Sequence, residues 1–204
     1  MWDFLKAGGP FMFLLVGCSI IGLAMIIERI MALRRSVILP EALQTAVDEC
    51  RTLADLPRLD AACRANPSTA GRLLLAAKDN LDQPKEENVE IVQARARQEI
   101  AKMERGLAIL EVVVGIAPLL GLVGTIHGMI TLFGDLGKVG MADNTVLAKG
   151  ISVALNTTLM GLIVAIPSLV AWTLLSRRVE NFAVQLEGLC DKFVRQHYRL
   201  VGPR

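Results

Sequence analysis

Three long stretches of this 204-residue chain contain no Asp, Glu, Lys or Arg: Ala7–Ile27, Val112–Gly134 and Gly150–Ser176. Each reaches the roughly 20 residues needed to cross a hydrocarbon core about 30 Å thick. The chain is 53% hydrophobic and 21% charged, with a mean hydropathy of +0.48. Those values fit together only if charge and apolarity are segregated along the chain, as these runs segregate them. The expected fold class is therefore all-α: an integral membrane protein with three transmembrane helices. The first run ends at Glu28-Arg29 and Arg34-Arg35 without a small-residue cleavage site, and only Lys6 precedes it. It reads as a retained helix rather than a signal peptide. A net charge of +2 gives no reason to expect a nucleic-acid partner. Cys18, Cys50, Cys63 and Cys190 lie far apart with no CxxC pairing, which points to reduced packing residues and no metal site.

Lys and Arg near the span ends set orientation. Arg29, Arg34 and Arg35 follow the first run; Arg177, Arg178, Lys192, Arg195 and Arg199 follow the third. Between the second and third runs, Lys138 and Lys149 are balanced by Asp135 and Asp143. The N-terminus and that short loop are expected outside, and the Glu28–Glu111 segment and the C-terminus in the cytoplasm. Five regions result. Residues 1–33 hold the periplasmic N-terminus and first span, and 34–84 a cytoplasmic helical segment whose short patterns are broken by Pro57 and Asn66-Pro67. Residues 85–136 form a long helix entering the membrane as the second span, 137–149 a short periplasmic loop, and 150–204 the third span with a cytoplasmic C-terminal helix. Asp82 or Gln83 is placed to cap the helix after Pro84.

That helix carries an amphipathic stripe: Val89, Val92, Ala96, Ile100, Met103, Leu107 and Leu110, with no breaker seen before Val112. A second stripe follows the third span at Val179, Phe182, Leu186, Leu189 and Phe193. Two long striped helices with few residues left to cover them point to packing between copies as well as within one.

Lipid supplies no hydrophobic drive between helices, so close packing relies on small and polar side chains. The second span has Ala117, Gly121 and Thr125 at four-residue spacing, with Gly124 and Gly128. The third has Gly150, Ala154 and Thr158, then Gly161 and Ala165. These faces suit helix contact, and part of them could line a pore or grip another helix. Thr125, Asn156, Thr157, Thr158 and His127 bring polar groups well inside the apolar runs. A single threonine hydroxyl can bond back to its own helix, but Asn156-Thr157-Thr158 opposite Thr125 could solvate water or a partner's carboxyl group. The three runs themselves contain no carboxylate. His127 is their only titratable candidate, and it could equally be a neutral hydrogen-bonder. If the protein handles protons, the key carboxylate comes from another chain.

The segment Ala117-Pro118-Leu119-Leu120-Gly121-Leu122-Val123-Gly124-Thr125-Ile126-His127-Gly128-Met129 resembles the second-helix signature of the ExbB/TolQ/MotA proton-channel family. Gly150 through Thr158, with Gly161 and Ala165-Ile166-Pro167, resembles its third helix. The layout matches over nearly the whole chain and is closest to the ExbB/TolQ branch. The resemblance implies a homo-oligomeric ring, a pentamer, enclosing a dimer of a single-span ExbD/TolR-like protein with an aspartate in its membrane helix. It implies a bacterial inner-membrane location, with the N-terminus periplasmic and the C-terminus cytoplasmic. It implies proton-driven work on a cell-envelope process such as outer-membrane transport, with protons or another cation as the coupling ion and no cofactor. By position, Thr125 and Thr158 match the family's pore-facing threonines; Pro118, Gly121, Gly124 and Pro167 match structural positions. Val153 stands where many members have glutamate, and His127 where many have an aromatic or aliphatic residue. A stand-alone ion channel or transporter is the competing reading, and a membrane scaffold is another. No phosphate-binding loop, metal cluster or nucleophile site marks an enzyme; Ser152 and His127 fall on different spans.

Overall fold

The computed structural model describes residues 9–139 and 144–201. Among them every regular element is helical. The chain forms α1 (Gly9–Ala32), α2 (Arg35–Ile38), α3 (Glu41–Glu49), a 3-10 turn (Leu53–Asp55), α4 (Leu56–Ala65), α5 (Thr69–Asp79), α6 (Lys85–Glu104), α7 (Leu107–Val139) and α8 (Asn144–Val201). Three helices are long and apolar enough to cross a membrane: Gly9–Ala32, Leu107–Gly134 and the α8 segment beginning at Gly150. The protein is a multi-pass helical membrane protein.

The chain divides into two compact units. The membrane unit comprises the residues up to Glu28 with Gly106–Leu174; the extramembrane unit comprises Arg29–Arg105 with the chain from Leu175. In the membrane unit most apolar side chains face outward, among them Ile20, Leu23, Leu119, Ile130, Leu155 and Leu174. In water that surface would be costly; in lipid tails it costs nothing. Its small interior centres on Leu15, Val113, Ala117, Val164 and Ala165, with Cys18, Leu120 and Met160 packed beside them. Pro118 and Pro167 both lie inside helices. Each lacks an N–H and removes one ladder bond, from the carbonyls of Val114 and Ile163.

The extramembrane unit packs like a soluble domain. Leu43, Val47, Leu59, Leu73, Leu74 and Ala77 are buried, and so is the whole expected α8 stripe of Val179, Phe182, Leu186, Leu189 and Phe193. That stripe is covered within the chain, so it gives no argument for contacts between copies. Tyr198 donates its hydroxyl to the Gln83 carbonyl at 2.6 Å, and the Asn88 side-chain amide donates to Ala77 O at 3.0 Å and to the Tyr198 hydroxyl at 3.3 Å. The two Tyr198 bonds tie the end of α8 to the start of α6, and the Ala77 bond ties α6 to α5.

The structure corrects several sequence expectations. The helix expected to run unbroken from 85 into the membrane is interrupted at Arg105-Gly106, where the ladder loosens into a turn. Gly106 is the breaker the stripe concealed. Pro57 does not break a helix; it sits in the first turn of α4, where its missing N–H has no ladder partner to lose. Neither Asp82 nor Gln83 caps α6: Pro84 itself takes the extended position before it, and no side-chain cap forms. The loop expected at 137–149 is shorter, since α7 continues to Val139 and α8 begins at Asn144. The side chains of Asp135, Lys138, Asp143 and Lys149, and all of residues 1–8 with Lys6, lie outside the described part.

The buried face of α6 also differs. Val92 and Met103 are buried, but Val89, Ala96 and Ile100 are half-buried and edge a groove of about 710 Å³ against α8. The positions that go inside are Asn88 and Glu99. Glu99 is 2% exposed yet charged, and it is held by Arg72 from α5 (Nε to Oε2, 3.0 Å) and by Lys102 (Nζ to Oε1, 2.6 Å). Burial pushes this carboxyl up; the hydrogen bonds and charges of Arg72 and Lys102 outweigh it and hold it below the ordinary carboxylate range. Burial also pushes up the Cys63 thiol, to about 11, and the Cys190 thiol, to about 12. Neither is a reactive thiolate at neutral pH.

Candidate functional site

α7 and α8 run antiparallel along a seam made by their small residues. From one end to the other, Gly150 faces Leu132, Ala154 faces Gly128, Thr157 faces Gly124, and Gly161 faces Gly121 and Ala117. Both helices advance by about one turn per pair, which is the periodicity that stacks i and i+4 on one face. A Cβ at Gly161 would lie 2.7 Å from the Ala117 carbonyl oxygen and 3.2 Å from Gly121 Cα. At Gly121 it would lie 3.0 Å from the Thr157 carbonyl and 3.1 Å from Thr158 Cα. The obstacles are backbone atoms, so only glycine permits this approach. α1 joins the same unit at Gly22, where a Cβ would meet Ser168 Oγ at 3.2 Å and a Val113 methyl at 3.4 Å.

In the middle of the seam Thr125 and Thr158 meet hydroxyl to hydroxyl. Thr125 Oγ1 also reaches the carbonyls of Gly121 at 3.1 Å and Ala154 at 2.9 Å, and Thr158 Oγ1 reaches the Gly121 carbonyl at 3.3 Å. Two hydroxyl protons are therefore shared among three acceptors, the carbonyls of Gly121 and Ala154 and one of the two hydroxyl oxygens, across the helix boundary. Both side chains are half-buried, so the pair is not sealed in the seam. A hydroxyl donates and accepts but does not ionise at physiological pH. Such a pair can orient water or solvate a carboxylate; it cannot itself be the charge carrier.

The other expected site residues are placed differently. Thr157 is 1% exposed, packs on Gly124 and returns its hydroxyl to the Ala154 carbonyl at 2.7 Å. Asn156 is half-buried. His127 is exposed on the outward face of α7, its ring edge-on to Phe11 of α1 with centroids 5.5 Å apart. It stands apart from the hydroxyl pair. Ala117, Ala154 and Ala165 are buried; Pro118 is half-buried and Pro167 exposed. Ser168, buried and bonded to the Val164 carbonyl at 2.8 Å, was missed by sequence reasoning. No cluster of three or more His, Cys, Asp or Glu side chains able to hold a metal occurs among the described residues.

A three-span helical protein with a glycine seam and a hydroxyl pair at mid-seam is a multi-pass membrane protein whose spans are held by close helix packing. Residues 65–188, more than half of the chain, match the MotA/TolQ/ExbB proton channel family. A Synechocystis protein named as a biopolymer transport protein, ExbB-like 1, is 34% identical over 89% of this chain and 74% of its own length. The Helicobacter pylori biopolymer transport protein ExbB is 41% identical over 37% of this chain and 52% of its own length. That of Aquifex aeolicus is 31% identical over 53% of this chain and 73% of its own length. The chain belongs to the MotA/TolQ/ExbB family.

Proposed function

We propose that this chain is the ring-forming subunit of a motor driven by the proton motive force, which energises a cell-envelope process such as outer-membrane transport. The supporting observation is the Thr125–Thr158 hydroxyl pair, held at mid-seam in a stretch that contains no carboxylate. Five copies surround a dimer of a single-span, ExbD/TolR-like protein whose membrane aspartate takes up and releases the proton. Thr125, Thr158 and Asn156 line its path, the glycine seam keeps the wall smooth, and protons are the coupling ion. The seat is the bacterial inner membrane, with the N-terminus periplasmic and the arginine-rich ends cytoplasmic. Each charge moved through the membrane potential releases about 2.3 kcal/mol per 100 mV, so useful work requires several transfers. Similarity to proteins named for biopolymer transport favours this reading over a stand-alone channel.

Native mass spectrometry of the protein purified in mild detergent with its neighbours tests the assembly. The expected species holds five copies and two of an acid-bearing single-span protein. A monomer that never captures such a companion would overturn the proposal.

A further inference from the structure

The chain passes between its two units at three places: between Glu28 and Arg29, between Arg105 and Gly106, and between Leu174 and Leu175. Arginine follows or precedes every one of these crossings on the extramembrane side: Arg29, Arg34 and Arg35 at the first, Arg105 at the second, Arg177 and Arg178 at the third. Arg29 is engaged inside the unit, donating to the Met103 carbonyl at 3.4 Å. Arg34, Arg35, Arg105, Arg177 and Arg178 are all exposed. Elsewhere in the unit some exposed cations pair with carboxylates, as Arg58 does with Glu49, Arg64 with Asp60, Lys192 with Asp48 and Arg195 with Asp191. Others, such as Arg51, Lys85, Arg97 and Arg199, make no ion pair among the described residues but lie farther along the chain from the crossings. The five exposed arginines at the crossings make no ion pair among the described residues, although Glu104 and Glu180 stand close in sequence.

The first crossing has a second peculiarity. Leu33, Ile38 and Leu39 anchor the segment by burial, while Ile30, Met31 and Val37 are 46–52% exposed beside Arg34 and Arg35. Exposed aliphatic groups in the last turn of the first span and just beyond it, next to unpaired guanidinium groups, match the boundary where acyl chains give way to phosphates.

We infer that the 30–37 segment, with Arg105, Arg177 and Arg178, is a docking collar for anionic phospholipid headgroups. The guanidinium fork matches phosphate oxygens two at a time, and the exposed aliphatic groups rest on the acyl chains of the same lipid. This inference needs only the three spans and the unpaired arginines, and it stands or falls independently of the motor reading.

The full-length protein in vesicles is probed with spin-labelled phosphatidylglycerol and phosphatidylcholine, and the ratio of their association constants is read from the immobilised fraction. Phosphatidylglycerol should be favoured at about 0.01 M salt, and the preference should collapse toward unity at about 1 M. Each arginine replaced by glutamine should reduce the ratio, by up to about fivefold. The combined R34Q/R35Q/R105Q/R177Q/R178Q variant should show no preference, lysine at the same five positions, which keeps the charge but loses the fork, should retain only part of it, and R58Q should leave it unchanged. The salt titration of the unaltered protein stands even if the fivefold variant fails to insert. Equal association of the two lipids at low salt would overturn the inference. So would a preference surviving in the glutamine variant, or one abolished by inorganic phosphate at constant ionic strength, since a general anion site needs no lipid.

Discussion

In the membrane unit the helices touch through glycine backbone and hydroxyl groups; in the extramembrane unit they touch through large side chains and one buried carboxylate. Gly161 lies against a carbonyl oxygen and Thr125 against Thr158, whereas Leu73, Leu74, Phe193 and Glu99 fill the interior of the other unit. The solvent explains the difference. Water rewards burial of leucine, so a core of bulky groups stabilises the extramembrane unit. Lipid gives leucine no reason to go inside, so the spans present leucine and isoleucine outward and gain from close approach instead. The two units should therefore fail under opposite substitutions: loss of volume in one, gain of volume in the other.

The largest effect is expected from Leu74→Ala. A fully buried leucine replaced by alanine leaves a cavity, and about 2–5 kcal/mol of stability should be lost from α5 and its neighbours, read as faster amide exchange across Thr69–Asp79. Exchange in α7 should be unmoved.

Next comes Arg72→Met. It leaves Glu99 buried with Lys102 alone, and about 2–3 kcal/mol should be lost; Lys102→Met, which removes a 66% exposed partner, should cost under about 1 kcal/mol. Because Glu99 titrates below its ordinary value of 4.5, its contribution is present above that pH. It fades as the pH falls through the depressed native value. Acid unfolding followed by circular dichroism should begin at higher pH in Arg72→Met than in the unaltered protein.

Third is Gly161→Ala. One added carbon must push α8 from α7, costing about 1–3 kcal/mol in thermal unfolding in detergent. Gly115 lies on the same α7 with nothing within 4 Å of its would-be Cβ. Gly115→Ala should cost nothing, and it should raise stability by up to about 1 kcal/mol through helix propensity. Equal effects at the two positions would show that the seam is not what holds the unit together.

The spans were legible because absence of charge over 21 or more residues has few other readings, and the seam because glycine, alanine and threonine recur every four residues on both helices. The second span's entry was misjudged because Gly106 sits between two stripes that continue each other in phase. Glu99 was missed for the opposite reason. It occupies a core position, seven residues after Val92 and four before Met103, but its type suggests surface, and nothing local in the sequence announces Arg72 across from it. The division of labour among Thr125, Thr157 and Thr158 depends on how α8 is rotated against α7. Adjacent threonines differ by about 100° on a helix, and composition does not fix which one meets the partner helix.

Proton uptake into vesicles tests the central claim most directly. The protein is reconstituted with and without the single-span, acid-bearing partner proposed for it, and uptake is followed under an imposed membrane potential. Uptake should require both proteins and should drop at least tenfold in Thr125→Val and in Thr158→Val, with the assembled mass unchanged. Uptake by this chain alone, or undiminished uptake in both valine variants, would contradict the assignment of the hydroxyl pair.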